Sequence, residues 1–207
     1  MKITEIIGEG AYRNCYATQN PDICIKRMKP IVNKRYFGFN FSIDMKRYLK
    51  IKFGISDLNK VEFSQITKLP QSLKAYIPSE IHLTETELIM GRPKDYNGEY
   101  SKSMIEFGKV KNEYFWKCVD EICTVFEEHS LWYQDVFFKG NNILVKKVSR
   151  DRFVPIMIDL KELGNNLSPI QINLILKSEK KRKFYRRFDR FKTTFYQNNS
   201  EPKNIEL

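Results

Sequence analysis

Histidine and cysteine are scarce in this 207-residue sequence, which contains two histidines and four cysteines. None of the cysteines forms a CxxC pair, and a structural zinc site needs clustered thiolates or imidazoles. Cysteines scattered in this way are usually buried thiols in a reducing compartment. The composition therefore argues against a zinc module and favours an intracellular protein.

Long apolar runs are missing as well. The first residues, MKITEIIGEG, contain no apolar core of a signal peptide, and no later stretch has the length that a membrane span needs. We therefore expect a soluble, cytoplasmic protein. Hydrophobic residues make up 42% of the chain, which is ample for a packed core, and the length fits one domain or two lobes that share a cleft.

Negative charge is in the minority, and the net charge is +11. Most of the excess lies between Lys177 and Lys192, where nine basic residues accompany only Glu179 and Asp189. Such a run is most often the solvated face of a helix whose other face packs on the core. It is also suited to an anionic partner: an anionic lipid surface, a phosphorylated glycolipid or nucleic acid. Nucleic acid is unlikely, because no motif that reads bases accompanies the charge. Four apolar residues are expected to pack this helix on the protein: Ile172, Ile175, Phe184 and Phe188.

Short extended segments separated by turns open the chain, at Lys2 to Ile7, Asn14 to Thr18 and Ile23 to Met28. Their order predicts a meander of antiparallel strands and not a βαβ unit. Glu113 to Glu128 is the clearest helix, because apolar side chains recur along it every three or four residues. Two further strands are predicted, at Asn142 to Lys146 and Phe153 to Ile158. The pattern indicates an α+β protein.

The turn between the first two predicted strands carries Gly8 and Gly10. Glycines there let the backbone approach phosphate groups without a Cβ in the way, although a plain hairpin turn is the commoner use. Lys26, at the end of the next apolar strand, can place its ammonium beside phosphate oxygens. The alternative for Lys26 is an ordinary edge-strand lysine that faces solvent.

Three polar residues follow further along the chain: Asp135, Asn142 and Asp159. Carboxylate and amide oxygens are the ligands that Mg²⁺ on a nucleoside triphosphate requires. Any one of these residues would more often belong to a turn. Their occurrence downstream of a glycine turn and Lys26, in this order, predicts a site for ATP and Mg²⁺.

Several motifs run in order over nearly the whole chain: GEGAYRNCY, PDICIK, DYNGEYSKS (Asp95 to Ser103), NNILV, PIMID, LGNNLSPI and the basic KRKFYRRF. Together they resemble the YrbL family, kinase-fold proteins of Gram-negative bacteria known as PhoP regulatory network proteins. The resemblance implies a protein-kinase-like two-lobe fold. It has a small antiparallel-sheet N-terminal lobe over residues 1–92 and a reduced helical C-terminal lobe with the basic helix over residues 93–207. The bacterial setting makes the inner membrane the surface to which the protein would be peripheral.

The resemblance also implies roles in the first lobe. Gly8 and Gly10 would cover the phosphates, and Arg13 stands where most kinases have a third glycine. Lys26 would contact the α- and β-phosphates. Glu62, in a short helix predicted over residues 60–68, would pair with Lys26.

In the second lobe the resemblance implies that Asn142 and Asp159 hold the metal and that Asp135 orients or deprotonates the acceptor hydroxyl. Two departures from the kinase pattern bear on this. Asp135 lies two residues earlier than the usual spacing to the asparagine, so the loop must bulge and bring its carboxylate to face Asp159, with Phe137 and Phe138 packed inward. No glycine directly follows Asp159, and too few residues follow Gly164 for the substrate helices of a protein kinase.

Two functions follow. One is a phosphotransferase that uses Mg·ATP on a small or lipid-linked hydroxyl. The alternative is a pseudokinase, a kinase-shaped regulatory or adaptor protein that transfers no phosphate. The displaced Asp135 and the missing glycine favour the second, and the presence of Lys26, Asn142 and Asp159 favours the first.

Overall fold

A computed structural model describes residues 1–10, 12–29, 57–133, 135–160 and 177–197. The predicted packing residues Ile172 and Ile175, and the LGNNLSPI motif, lie outside the described residues. The structure is α+β, as predicted, with two antiparallel sheets and helices.

The first sheet has five antiparallel strands. Its spatial order is β1 (Ile3–Glu9), β2 (Arg13–Thr18), β3 (Ile23–Met28), β5 (Glu87–Gly91) and β4 (His82–Leu83). The turn between β2 and β3 is closed by Asn20, whose side chain accepts a hydrogen bond from the amide of Asp22. The meander predicted for the first three strands is therefore confirmed.

Helix α1 (Leu58–Thr67) packs on this sheet against β3, β4 and β5. It begins at Asp57, whose carboxylate accepts hydrogen bonds from two amides of the first turn. Asn59 is fully buried and donates to the carbonyls of Lys26 and Thr86, which fixes the helix against β3. Because residues three apart share a helix face, the same contact turns Glu62 toward β3.

The second sheet has three antiparallel strands: β6 (Lys102–Ser103), β7 (Ile143–Lys147) and β8 (Phe153–Met157). The helices that accompany it are α2 (Met104–Phe107), α3 (Glu113–Glu128) and α4 (Lys177–Phe195). Helix α3 has the predicted bounds, and its apolar stripe is fully buried at Phe115, Val119, Ile122 and Phe126. None of the described helices combines the length and apolar character that a membrane span needs.

The segment from Asp95 to Gly98 connects the two sheets. Asp95 is buried, and its carboxylate accepts hydrogen bonds from the Ser101 hydroxyl at 2.7 Å and the Lys147 amide at 3.0 Å. Tyr96 donates its own amide to the Lys147 carbonyl at 2.8 Å. The connection is therefore fastened to the end of β7. A domain boundary between residues 92 and 93 stays a prediction.

Among the described residues, the two sheets belong to apolar clusters of different size. The first contributes a small buried cluster of Cys24, Leu88 and Met90. The second belongs to a much larger cluster in which aromatic residues of α3 and α4 meet; the buried phenylalanines of α4 are Phe184, Phe188, Phe191 and Phe195. The predicted burial of Phe184 and Phe188 is confirmed.

Candidate functional site

Lys26 and Glu62 form a buried ion pair between β3 and α1. The distance from Lys26 Nζ to Glu62 Oε1 is 2.7 Å, and the residues are 8% and 1% exposed. The pairing predicted for these two residues is present. The alternative of a solvent-facing edge lysine is wrong, because β3 lies between β2 and β5 inside the sheet.

Arg13 stands at the centre of the same cluster. Its guanidinium lies 2.5 Å from the second Glu62 oxygen and also pairs with the carboxylate of Asp159. It donates to the side chain of Asn59 at 2.9 Å. Burial by itself would lower the pKa of Arg13, but the two carboxylates more than offset it and raise that pKa.

The sequence assigned Arg13 only a place in the glycine turn, and it did not single out Asn59. An arginine in a turn that precedes an interior strand needs a counter-charge within reach, and this is the signal that could have pointed to a carboxylate. No local pattern marks Asn59, because its partners lie in other elements.

The glycine turn is explained by packing within the protein itself. Gly8 pairs with Cys15 across the hairpin, and the Gly10 amide donates to the Arg13 carbonyl at 2.8 Å. A Cβ on Gly10 would lie 3.0 Å from that carbonyl oxygen. Neither glycine has a positive φ. The close approach of Gly10 therefore fits the hairpin interpretation, and a role in covering phosphates stays a prediction.

Asn142 and Asp159 lie at the same end of the β7–β8 ribbon. The register pairs Ile143 with Met157, and the amide of Ile158 donates to the Asn142 carbonyl at 2.9 Å. Asp159 has a φ of 68°, which is uncommon for a residue other than glycine and marks a constrained position. Its amide donates to Glu62 Oε1 at 3.1 Å, so the ribbon end reaches the Lys26–Glu62 pair.

The donors at the ribbon end suit a magnesium ion. Asn142 donates from Nδ2 to the Asp135 carbonyl at 2.8 Å, which leaves its amide oxygen as the group available to a cation. Mg²⁺ prefers such hard oxygen donors and is usually held by one or two protein groups together with phosphate oxygens and water. Among the described residues, no three histidine, cysteine, aspartate or glutamate side chains converge on one point. Asn142 and Asp159 therefore fit a metal that arrives with a nucleotide.

The backbone of the loop from Asp135 to Asn142 turns sharply, and the bulge expected from its extra length stays a prediction. Two successive residues, Lys139 and Gly140, have positive φ values of 57° and 73°. A Cβ on Gly140 would lie 2.7 Å from the ring of Phe195, so this position accepts only glycine. The loop therefore packs closely against the end of α4 at Phe195.

The carboxylate of Asp135 has a partner that the sequence did not predict. It accepts a hydrogen bond from Arg187 of α4 at 2.8 Å, and its orientation toward Asp159 stays a prediction. Phe137 is buried, as predicted. Phe138 is 39% exposed, and Arg187 lies over its ring at 4.5 Å, so the inward packing predicted for Phe138 is wrong. The aromatic ring and the arginine cover each other in place of a core contact.

Much of the basic run on α4 is neutralised within the protein. Lys181 pairs with Glu127 at 2.7 Å and Lys192 with Asp120 at 2.8 Å. Further pairs are Arg182 with Glu179 and Arg187 with Asp135. These four residues therefore have counter-charges within the protein itself. The roles that the sequence gave to a lipid or glycolipid partner stay predictions.

No model of a known protein family matches this chain, and no curated protein matches it either. The resemblance to the YrbL family, based on the motifs in the sequence, therefore stays a prediction.

Proposed function

We propose that this chain is a kinase-like phosphotransferase of the YrbL family, with a two-lobe fold that binds Mg·ATP between the two sheets. The observation that supports this best is the convergence of β3, α1 and the ribbon end on Glu62. Lys26 and the Asp159 amide both contact Glu62 Oε1. Protein kinases require the corresponding lysine–glutamate pair and metal-binding aspartate to be in place together.

Each of these residues has a separate role in the proposed phosphoryl transfer. Lys26 contacts the α- and β-phosphates. Asn142 and Asp159 would hold a magnesium ion, which would supply positive charge against the negative charge of the phosphates. The acceptor oxygen forms a bond to the γ-phosphorus while the bond from that phosphorus to the β,γ-bridging oxygen breaks, and ADP leaves. The proton of the acceptor hydroxyl passes to the carboxylate of Asp135.

Arg13 must change partners when nucleotide binds. In the described structure it shares the carboxylate of Asp159, which the metal ion needs. A triphosphate offers the guanidinium an alternative anion that it can contact through two nitrogens. We therefore assign to Arg13 a position on the phosphates in the nucleotide-bound state.

The test is thermal unfolding with ATP, with and without Mg²⁺. A hundredfold excess over the dissociation constant should raise the free energy of unfolding by about 2.7 kcal/mol. Asp159→Asn should lose the part of this shift that depends on Mg²⁺, because the amide binds the metal less well. Asp151→Asn, the same chemical change in the exposed turn between β7 and β8, should keep it.

Lys26→Ala is a poorer test. Lys26 is buried against Glu62, so its removal leaves a buried carboxylate with one cation fewer and lowers stability on its own. If no nucleotide stabilises the wild-type chain under any metal condition, the proposed function fails.

The second candidate is a pseudokinase, which two contacts favour. Arg187 holds the carboxylate of Asp135, and Arg13 holds that of Asp159. A pseudokinase would be stabilised by nucleotide and form no ADP, whereas a phosphotransferase forms ADP slowly with water as the acceptor.

A further inference from the structure

A cavity of about 520 Å³ lies between α4 and the loop that carries Asp135. One part of its wall is apolar: Ile105, Phe137, Phe138, Phe191 and Phe195. The other part is cationic: Lys139, Lys183, Arg186, Arg187 and Arg190. The volume lies within the range of small-molecule sites, which commonly combine apolar walls with a few convergent polar groups.

The cations of this cavity differ from the other basic residues of α4. Lys181, Arg182 and Lys192 lie outside it and pair with carboxylates. Inside it, Arg187 pairs with Asp135. In the part of the chain that the structure describes, no carboxylate pairs with the remaining cavity cations: Lys139, Lys183, Arg186 and Arg190.

This crowding of like charge has an electrostatic cost. Burial lowers the pKa of Lys183, and the neighbouring Arg187 and Arg186 lower it further, with only Asp135 opposing them. An anion in the cavity would relieve the repulsion. Arginine guanidinium groups suit a phosphate, which they can contact through two nitrogens.

We propose that this cavity binds the phosphorylated head group of a hydroxyl-bearing amphiphilic molecule, with its apolar part against the phenylalanines, and that it is the acceptor site. Phosphate alone would leave the apolar wall unused, and a neutral lipid would leave the cations unused. Arg187 lines the cavity and contacts Asp135, so a bound ligand lies next to the proposed catalytic base. The assignment as acceptor site rests on the phosphotransfer proposed above.

The test is calorimetric titration of the full chain, without nucleotide or metal. The probe is dihexanoyl phosphatidic acid, kept below its critical micelle concentration. The variant Arg186→Ala/Arg190→Ala should bind it at least about tenfold more weakly than the wild type, because charged hydrogen bonds to phosphate are lost. The matched control, Lys181→Ala/Arg182→Ala, removes the same charge from exposed positions of the same helix outside the cavity and should bind like the wild type.

Two further ligands test which chemical feature of phosphatidic acid the cavity recognises. Dihexanoyl phosphatidylcholine should bind much more weakly, and so should inorganic pyrophosphate. Pyrophosphate binding as tight as that of the amphiphile would assign the cavity to a soluble phosphate compound and overturn the proposal. Equal weakening in both double variants, or no binding of phosphatidic acid to the wild type, would overturn it as well.

The failure of this inference can be told apart from failure of the proposed function. Asp159→Asn should keep its affinity for phosphatidic acid while losing the magnesium-dependent stabilisation by ATP. If the chain binds nucleotide but no amphiphile, the proposal for the cavity is wrong and the proposed nucleotide site stands. If the chain binds the amphiphile but no nucleotide, the cavity is a binding site for phosphorylated lipid and is not an acceptor site.

Discussion

The carboxylate of Glu62 joins three separate parts of the chain. One oxygen accepts from Lys26 and from the Asp159 amide, and the other accepts from Arg13. Together with the Asp159 side chain, the described residues of this cluster pair two cations with two carboxylates. In the proposed nucleotide complex, a triphosphate would add negative charge to this cluster, and a magnesium ion would offset part of it. If the proposal holds, nucleotide should therefore bind more tightly with the metal ion than without it.

The reactivity of Cys15 can be used to probe the same site, because Cys15 lies opposite Lys26 in the sheet. The Cys24 thiol donates a hydrogen bond to Cys15 and, with Lys26 and Arg92, lowers the pKa of Cys15 to about 7, although burial opposes this. Alkylation by iodoacetamide should therefore rise with pH through a midpoint near 7, since only the thiolate reacts. The rate is measured by mass spectrometry of the Cys15 peptide.

Cys24→Ala is the control for that midpoint. It removes the donated hydrogen bond, so the midpoint for Cys15 should move to higher pH. The other cysteines are buried and should react slowly throughout. Bound Mg·ATP should slow the reaction of Cys15. A midpoint in the ordinary thiol range for the wild type would show that Cys24 does not donate this bond.

For single helices and strands, the sequence predicts the bounds well where a local pattern of apolar and polar residues determines them. Helix α3 has the predicted bounds, because its apolar stripe and its polar positions alternate with a clear helical period. The strands β2, β3 and β7 are found within a residue or so of their predicted positions, because turn residues and apolar runs delimit them.

Contacts between distant elements could not be predicted in the same way. Arg187 lies 52 residues from Asp135, and no spacing rule links a helical arginine to a loop carboxylate. Arg13 lies 146 residues from Asp159. The resemblance to a kinase gave each of these carboxylates a single role, whereas the folded chain gives each an arginine partner as well.

The loop from Asp135 to Asn142 supplies a test of catalysis. Asp135→Asn keeps an oxygen for Arg187 but cannot take a proton from the acceptor, so ADP formation should fall by about a hundredfold or more. Stabilisation by Mg·ATP should be unchanged. Single-turnover measurement of ADP gives the rate, and Asp189→Asn, an exposed position on α4, is the matched control.

The possible results separate the two candidate functions. A loss confined to Asp135→Asn supports the phosphotransferase. Equal ADP formation in wild type and Asp135→Asn removes Asp135 as the base. Nucleotide stabilisation without ADP formation in the wild type supports the pseudokinase, with Arg187 and Arg13 as the residues that hold both carboxylates.

The whole molecule distributes its apolar packing unevenly. The large cluster around α3 and α4 holds most of the buried aromatic residues, including Trp116, Phe126 and Tyr133. Among the described residues, the first sheet has the small cluster of Cys24, Leu88 and Met90 and the buried Ile25, together with the ion pairs of Glu62. Because local stability follows buried apolar contact, the first sheet should open more readily than α3.

Amide hydrogen exchange followed by mass spectrometry tests this distribution. Peptides from β1, β2 and β3 should exchange much faster than the peptide of α3, because they open without disturbing the large cluster. Mg·ATP should slow exchange in these strands and in α1, which carries Glu62, and leave α3 unchanged. Equal protection of the first sheet and α3 without nucleotide would contradict the uneven packing. Protection by Mg·ATP confined to α4 would place the nucleotide on the cationic cavity, because the anionic triphosphate would then satisfy Arg186 and Arg190 and leave Lys26 paired with Glu62.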